Sequence, residues 1–202
     1  MYIPTHFRFE EETEILEFMR RYSFAVITSS KEDVPVATHL PFTVEKEGDN
    51  VRLYGHFARA NDQWKGIEEK RCLVIFSEPH AYISPSHYEK SLNVPTWNYL
   101  SVHVYGRPKI ITNEAEAFAL LKRMIHTFEA EYLQQWEGLP EDYKLKMLKG
   151  IVPFVFEVEE ILAKKKLSQN KSDKERQNII EAFEKSEDQN AVEIANLMKS
   201  RG

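Results

Sequence analysis

The sequence predicts a mainly β, α+β fold in which six or seven antiparallel strands close into a small barrel with flanking helices. Extended segments follow one another at short intervals, whereas a parallel crossover would need a dozen or more residues between strands. Helical apolar spacing is confined to a few segments of the chain. Closure of such a sheet removes exposed strand edges, so we expect a barrel rather than an open sheet.

Apolar and β-branched residues mark the individual elements of this fold. The predicted strands are residues 24–28, 34–44, 51–57, 72–77, 81–84, 96–112 and 153–162. Apolar residues at helical spacing predict helices over residues 10–21, 114–131 and 140–148. Residues 29–33 and 47–50 are rich in turn-forming types and connect successive strands as hairpins.

The composition changes after Leu167, where aromatic residues become rare and charged residues common. We therefore divide the chain of 202 residues into a barrel domain over residues 1–170 and a helical extension over residues 171–202. The extension is predicted to hold two helices that break near Ser186. These helices could pack on the barrel, on a second subunit or on nothing.

The charge balance gives no general attraction to nucleic acid. The net charge is −5, from 27 basic and 32 acidic side chains. The run Lys164-Lys165-Lys166 is a local exception, and the usual interpretation of such a run is a solvated surface. DNA is therefore a possible partner that the charge does not support.

Cys72 is the only cysteine, so a disulfide within the chain is excluded, and its apolar neighbours predict a core position. No apolar run approaches the roughly 20 residues that a membrane helix needs, and no secretory signal is recognised. We expect a protein of the reducing cytoplasm that makes no membrane contact.

The segment Gly55–Trp64 predicts a ligand site where a strand turns directly into a helix. Asn61 is a suitable N-cap for a helix over residues 62–69, and His56 and Arg59 precede it. Free N–H groups at a helix start attract anions, and a guanidinium can bind two phosphate oxygens at once. This arrangement suggests a phosphate-bearing ligand, although Arg59 could instead pair with a glutamate of the following helix.

The strand from Thr96 to Gly106 carries many aromatic residues. Alternation places one set of side chains on one face (Trp97, Tyr99, His103, Tyr105) and a second set on the other (Thr96, Asn98, Val102). An aromatic face with hydroxyl and amide groups suits a flat heteroaromatic ligand. The alternative is an ordinary half-buried strand, because aromatic residues favour strands in any case.

Several common types of site are not indicated. Five histidines lie between residues 39 and 103, but none has the spacing of a zinc motif, and we expect no metal site. With only 7 glycines there is no dinucleotide-binding or Walker motif. No nucleophile elbow surrounds Ser84 or Ser86, and no other catalytic constellation is evident.

Several motifs together resemble the PaiB family, and they occur in the expected order over most of residues 1–170. They are residues 1–4, 37–42, 55–64, 79–86, 94–106 and 166–170. The resemblance implies a split β-barrel of the flavin-binding type, related to pyridoxamine phosphate oxidases. It also implies a homodimer that binds FMN in two clefts between subunits. PaiB proteins are negative transcriptional regulators of degradative-enzyme production and sporulation in bacilli.

The resemblance also assigns roles to individual residues. The isoalloxazine ring would lie by residues 37–41, with Thr38 at its polar edge and with His39, Leu40 and Pro41 beside it. The phosphate would contact His56, Arg59, Asn61 and Trp64. The ring or the ribityl chain would be lined by Thr96, Trp97 and Asn98, and the other subunit would contribute Lys166 and Gln169.

Three positions depart from the family pattern. Glu78 replaces a common glycine, His87 stands where tryptophan is usual, and Asp62 replaces a proline. Asp62 places a carboxylate where the phosphate is expected, which would weaken FMN binding by a repulsion on the order of 1 kcal/mol.

Two other functions compete with a PaiB-type FMN-binding regulator. One is a flavin-dependent oxidoreductase, or a haem-handling split-barrel enzyme, of unknown substrate. The other is a direct DNA-binding repressor, which would need a basic recognition helix. Both helices after Ser172 mix acidic with basic residues, so the sequence does not favour that alternative.

Overall fold

The computed structural model describes residues 1–200, and within them the chain forms eight strands and six α-helices. The strands are β1 Phe24–Lys31, β2 Val34–Pro41, β3 Thr43–Glu47, β4 Asn50–Ala58, β5 Cys72–Phe76, β6 His80–Ile83, β7 Thr96–Ile110 and β8 Ile151–Lys166. The helices are α1 Glu12–Arg21, α2 Glu114–Phe128, α3 Tyr132–Gly138, α4 Glu141–Leu148, α5 Asp173–Phe183 and α6 Gln189–Lys199.

The chain divides into two compact units. The sheet unit comprises Leu16–Phe76 and His103–Ile161. The terminal unit comprises Met1–Ile15, Ser77–Val102 and Leu162–Gly202. The predicted division at residue 170 differs from this one and stays a prediction.

The strands are arranged in the order β2-β1-β5-β7-β8-β4-β3, with β6 paired to β7. Antiparallel hairpins join β1 to β2 and β3 to β4, and β4 pairs with the first half of β8. The predicted antiparallel fold is confirmed, with one strand more than expected. The extra strand arises because the predicted strand over residues 34–44 is interrupted at Phe42, whose N–H donates to Ser23 O.

A tight turn sets the register of the β1–β2 hairpin. Its two residues, Glu32 and Asp33, have φ values of 50° and 63°, which is the left-handed region that a two-residue hairpin turn requires. Ile27 then lies opposite Thr38, and Phe24 opposite Pro41. This register decides which side chains of the two strands share a face.

The core of the sheet unit is built from phenylalanines. Five of them are fully buried (Phe42, Phe57, Phe76, Phe154, Phe156). The rings of Phe57 and Phe154 stack with centroids 5.0 Å apart, and Phe42 approaches Phe76 at 6.0 Å. Removing one such ring from water stabilises the fold by roughly 1.5–3 kcal/mol.

The two C-terminal helices pack against each other in the terminal unit. A capping box between Ser172 and Glu175 begins α5, and the Asp188 side chain caps α6. Ile179 and Ile194 are fully buried. The prediction of two helices broken near Ser186 is confirmed. Within the same unit α6 contacts β6, and α5 contacts the 3₁₀ turn Pro85–His87.

The expected solvated surface at the three consecutive lysines is wrong. Lys164 is only 7% exposed and Lys165 only 5%. The Lys164 ammonium lies 5.1 Å from the ring centroid of Tyr99, and Lys165 donates to Glu14 at 2.8 Å. Aromatic faces and a carboxylate take the place of water around these charges, which a charge pattern alone cannot reveal.

Gly106 offers a direct test of how tightly β7 and β8 approach. A Cβ at this position would clash with the Glu157 carbonyl oxygen and lie 2.7 Å from Cε1 of Phe156. We expect Gly106→Ala to lower the free energy of unfolding by about 3 kcal/mol, measured by urea denaturation. Gly138→Ala is the control, because nothing lies within 4 Å of its added Cβ, and it should cost less than about 0.5 kcal/mol. Equal losses in both variants would contradict the close approach.

Candidate functional site

A cavity of about 370 Å³ opens in the sheet unit between β2 and the loop that follows β4. Its size falls within the range of small-molecule sites. The lining residues are Ser29, Lys31, Val36, Ala37, Thr38, Asn61, Asp62, Gln63, Lys65 and Lys70. Two residues predicted to bind the ligand, Thr38 and Asn61, therefore share one cavity.

The Gln63 side chain links the loop to both strands of the first hairpin. Its Nε2 donates to Ile27 O of β1 and to Val36 O of β2, each at 3.2 Å. It also lies 3.2 Å from the Ser29 hydroxyl, and Gln63 Oε1 accepts from the Thr38 hydroxyl at 2.5 Å. The cavity wall is thus held by side-chain hydrogen bonds to the backbone.

Asn61 caps the loop as predicted, with its Oδ1 accepting from Gln63 N at 3.0 Å. The predicted helix over residues 62–69 is wrong. Two 3₁₀ turns, Asp62–Trp64 and Ile67–Glu69, stand in its place, separated by Gly66 at φ 68°. A left-handed residue cannot continue a helix, and so short a turn has little dipole to offer an anion.

The cavity is nevertheless positively charged. Lys31, Lys65 and Lys70 line it, against the single carboxylate of Asp62. The Lys65 ammonium lies 2.6 Å from Asp62 Oδ1, and its hydrogen bond and charge lower the pKa of that carboxyl. The repulsion expected from Asp62 is therefore offset by a neighbouring cation.

Arg59 lies at a different cavity, of about 240 Å³, lined mainly by residues of α2, α4 and β8. Its guanidinium donates to Ile151 O at 2.8 Å and lies 5.4 Å from the Trp64 ring centroid. Trp64 Nε1 donates in turn to Arg59 O at 3.1 Å. Arg59 is thus held by a backbone carbonyl and an aromatic ring, and not by the glutamates considered from the sequence.

His56 lies at a third cavity, of about 250 Å³, against the apolar side of α2. Its Nδ1 is buried without a hydrogen-bond partner, and burial lowers the pKa of the imidazole. The structure therefore does not bring His56 or Arg59 to the cavity that Thr38 and Asn61 share.

The remaining predicted residues of β2 differ in exposure. His39 is exposed and stacks on Phe24 with ring centroids 6.1 Å apart. Leu40 is buried in the core, and Pro41 is half-buried. Of these three, His39 presents a polar side chain to solvent.

In the terminal unit, the predicted ligand-lining residues of β7 point to opposite faces. Trp97 is 50% exposed and its ring lies 5.7 Å from that of Tyr82. Asn98 is fully buried, and its amide forms hydrogen bonds of 3.0 Å and 3.1 Å with the Ser168 hydroxyl. The predicted alternation is confirmed here, and Asn98 has a structural partner within its own unit.

Lys166 and Gln169 are also engaged within the terminal unit. The Lys166 ammonium donates to the hydroxyl of Thr96, and burial, followed by the nearby charge of Lys164, lowers its pKa. Gln169 bonds to the backbone at both ends of its amide, accepting from Leu167 N and donating to Lys165 O. Their predicted contact with a second subunit stays a prediction.

Two departures from the family pattern lie in the terminal unit. Glu78 precedes Pro79 and lies 3.7 Å from the His80 imidazole. The His87 ring packs edge-on against Phe183 of α5. His87 is therefore in contact with the C-terminal helices.

Sequence reasoning missed the Gln63 carboxamide and the lysines at positions 31, 65 and 70. The N-cap of Asn61 indicated a loop, but the reach of Gln63 to two strands depends on the hairpin register. The lysines are separated in the sequence and converge only in the fold.

Among residues 1–200, no group of three or more histidine, cysteine or acidic side chains is placed to hold a metal ion. No helix in that range has the length and apolarity to cross a membrane.

The burial of Asn98 generates one prediction. Asn98→Ala should lower the free energy of unfolding by about 2 kcal/mol, because the Ser168 hydroxyl loses its partner inside the protein. Denaturant titration measures this, and Asn196→Ala on the exposed side of α6 is the matched control, expected to change stability by less than about 0.5 kcal/mol. An unchanged free energy of unfolding in Asn98→Ala would contradict a stabilising role for the bond between Asn98 and Ser168.

The half-buried His56 generates a second prediction, on pH dependence. Since its folded pKa is lowered, the unfolded chain takes up the proton first as the pH falls below about 6.5. Stability is therefore lost toward acid, and His56→Gln should flatten that loss between pH 7.5 and 5. Thermal melts across this range measure it, and an unchanged pH profile would contradict the burial of the ring.

The comparisons with known proteins agree with the resemblance drawn from the sequence. Residues 1–160 match the family described as "Putative FMN-binding domain". The protein of Bacillus subtilis named protease synthase and sporulation protein PAI 2 is 38% identical over 204 residues, covering 100% of this chain and 98% of the relative. An uncharacterised protein of Saccharomyces cerevisiae is 33% identical over 142 residues, covering 57% of this chain and 82% of its own.

Solved structures support the split-barrel fold. The flavocytochrome Anf3 from Azotobacter vinelandii aligns with a TM-score of 0.65 at 18% identity, over 82% of this chain and 72% of its own. The FAD and heme binding protein from Mycobacterium smegmatis aligns with a TM-score of 0.61 at 13% identity, over 79% and 73%. The chain belongs to the FMN-binding PaiB family, and FMN is its cofactor.

Proposed function

We propose that this protein is a PaiB-type negative regulator of degradative-enzyme production and sporulation that acts with FMN bound. The observation that carries the proposal is the extent of the match to PAI 2 of Bacillus subtilis, which includes all of this chain. That match runs through α5 and α6, beyond the end of the FMN-binding family match at residue 160. The regulatory role therefore concerns the helical C-terminus as well as the flavin-binding part.

We place the flavin at the cavity of Thr38, Asn61 and Gln63. Its volume of about 370 Å³ suits a ligand of this class, and the hydroxyl and amide groups of its wall suit the polar edge of the isoalloxazine. FMN, when bound, supplies hydride-transfer and one-electron chemistry. The residues of this chain orient and enclose it.

The phosphate of FMN is assigned to the lysines of the same cavity. Lys31, Lys65 and Lys70 supply three positive charges, and Asp62 one negative charge, which leaves two for the phosphate. Ammonium groups are common phosphate ligands and bind as point charges. Arg59 then acts at a distance from the phosphate, by fixing the loop to Ile151.

A second copy of the chain is proposed to pack on β2. This strand ends the strand order and pairs with β1 alone, so its outer edge carries unpaired backbone groups. Phe24 and Val34, at opposite ends of the hairpin, are 68% and 62% exposed. A homodimer through this edge would cover both, and a partner at this edge would lie beside the flavin cavity.

The assignment of the phosphate predicts which flavins bind. Wild-type protein should bind FMN at least tenfold more tightly than riboflavin, which lacks the phosphate, because charge-assisted bonds to lysine contribute about 1.5–3 kcal/mol each. Quenching of flavin fluorescence measures both affinities. The double variant Lys65→Gln, Lys70→Gln should bind FMN and riboflavin with equal affinity. Lys185→Gln is the control, because Lys185 is exposed and follows α5, and it should keep the wild-type preference for FMN. Retained preference for FMN in the double variant would contradict the phosphate assignment.

The regulatory role is tested by complementation. Expression of this chain in a Bacillus subtilis strain that lacks PAI 2 should restore repression of secreted protease and the normal timing of sporulation. A chain truncated after residue 170 serves as the comparison, since it lacks α5 and α6. Full-length protein that is present and flavin-bound in the cells without restoring repression would refute the proposed function.

A further inference from the structure

The orientation of the Gln63 carboxamide is fixed by the backbone. Ile27 O and Val36 O both accept from one end of this amide, and a carbonyl oxygen can only accept. That end must therefore be the NH₂ group. The Gln63 oxygen consequently faces the Thr38 hydroxyl.

The orientation of the Asn61 carboxamide is fixed in the same way. The backbone N–H of Gln63 can only donate, so the group that meets it at 3.0 Å is the Asn61 oxygen. The NH₂ group of Asn61 consequently faces Thr38, with Nδ2 at 2.8 Å from Oγ1. One N–H of this group remains for another acceptor.

These two orientations determine the polarity of the Thr38 hydroxyl. A threonine hydroxyl has one proton and two lone pairs. The proton is donated to Gln63 Oε1, and one lone pair accepts from Asn61 Nδ2. A single lone pair is left, so Thr38 can only accept a hydrogen bond from a ligand in this cavity.

We propose that Thr38 accepts a hydrogen bond from the N3–H group of FMN, and that Gln63 is the positioning residue that imposes this polarity. The inference rests on the proposed placement of the flavin in this cavity. N3–H is the only donor on the oxidised isoalloxazine ring, whereas the ring carbonyls, N1, N5 and the ionised phosphate oxygens accept. Among the ring atoms Thr38 can therefore pair only with N3–H at the pyrimidine edge, the ribityl hydroxyls being the other donors of FMN, and it cannot donate to the phosphate.

The ionisation of N3 in bound FMN tests the proposal. A hydrogen bond from N3–H to Thr38 stabilises the neutral flavin and raises the N3 pKa. Thr38→Val should lower that pKa by about one unit and weaken FMN binding about tenfold, because the acceptor is lost. Thr38→Ser keeps the hydroxyl and should stay within about threefold of wild type in affinity, with the N3 pKa unchanged. Flavin absorption followed against pH gives the first quantity, and fluorescence titration gives the second.

The outcomes separate the inference from the proposed function. If Thr38→Val weakens binding but leaves the N3 pKa at the wild-type value, Thr38 contacts another part of the ligand and the inference is wrong. If Thr38→Val binds FMN as tightly as wild type, the inference is also wrong. If wild-type protein binds no FMN, the placement of the flavin fails and the inference fails with it.

Discussion

The candidate site depends on one side chain, the Gln63 carboxamide, which joins the loop after β4 to both strands of the first hairpin. Its amide group bonds to the backbone of β1 and β2, and its oxygen holds the Thr38 hydroxyl. Each such bond contributes on the order of 1 kcal/mol to stability. Together the bonds fix the orientation of the Gln63 amide and of the Thr38 hydroxyl. Without Gln63, nothing in this network would fix which way Thr38 donates.

Charge in this protein is a local property. The chain as a whole has a net charge of −5, yet three lysines converge at one cavity, and Asp62 is paired with one of them. In the terminal unit, Lys164 and Lys165 are buried against aromatic rings and a carboxylate. Net charge therefore excludes little about an anionic ligand, because binding depends on the few charges within a Debye length.

Much of the fold follows from local patterns, and the details of the site do not. Apolar runs and alternation located the strands, except that β2 and β3 were predicted as one, and apolar spacing was enough to find α2, α5 and α6. The prediction of a helix after Asn61 was wrong because Gly66 adopts a left-handed conformation, which cannot be inferred from the residue types alone. The bond from Gln63 to Thr38 joins residues 25 positions apart, so it depends on hairpin register and could not be read from spacing.

The central claim is that FMN occupies the cavity held together by Gln63. Its most direct test is a two-dimensional ¹H–¹⁵N NMR spectrum of the labelled protein before and after addition of FMN. FMN bound in this cavity should cause the largest shifts at the backbone amides of Ala37, Thr38 and Gln63 and at the side-chain amide of Asn61. Shifts confined to the residues around His56 and α2, with those four signals unmoved, would contradict it.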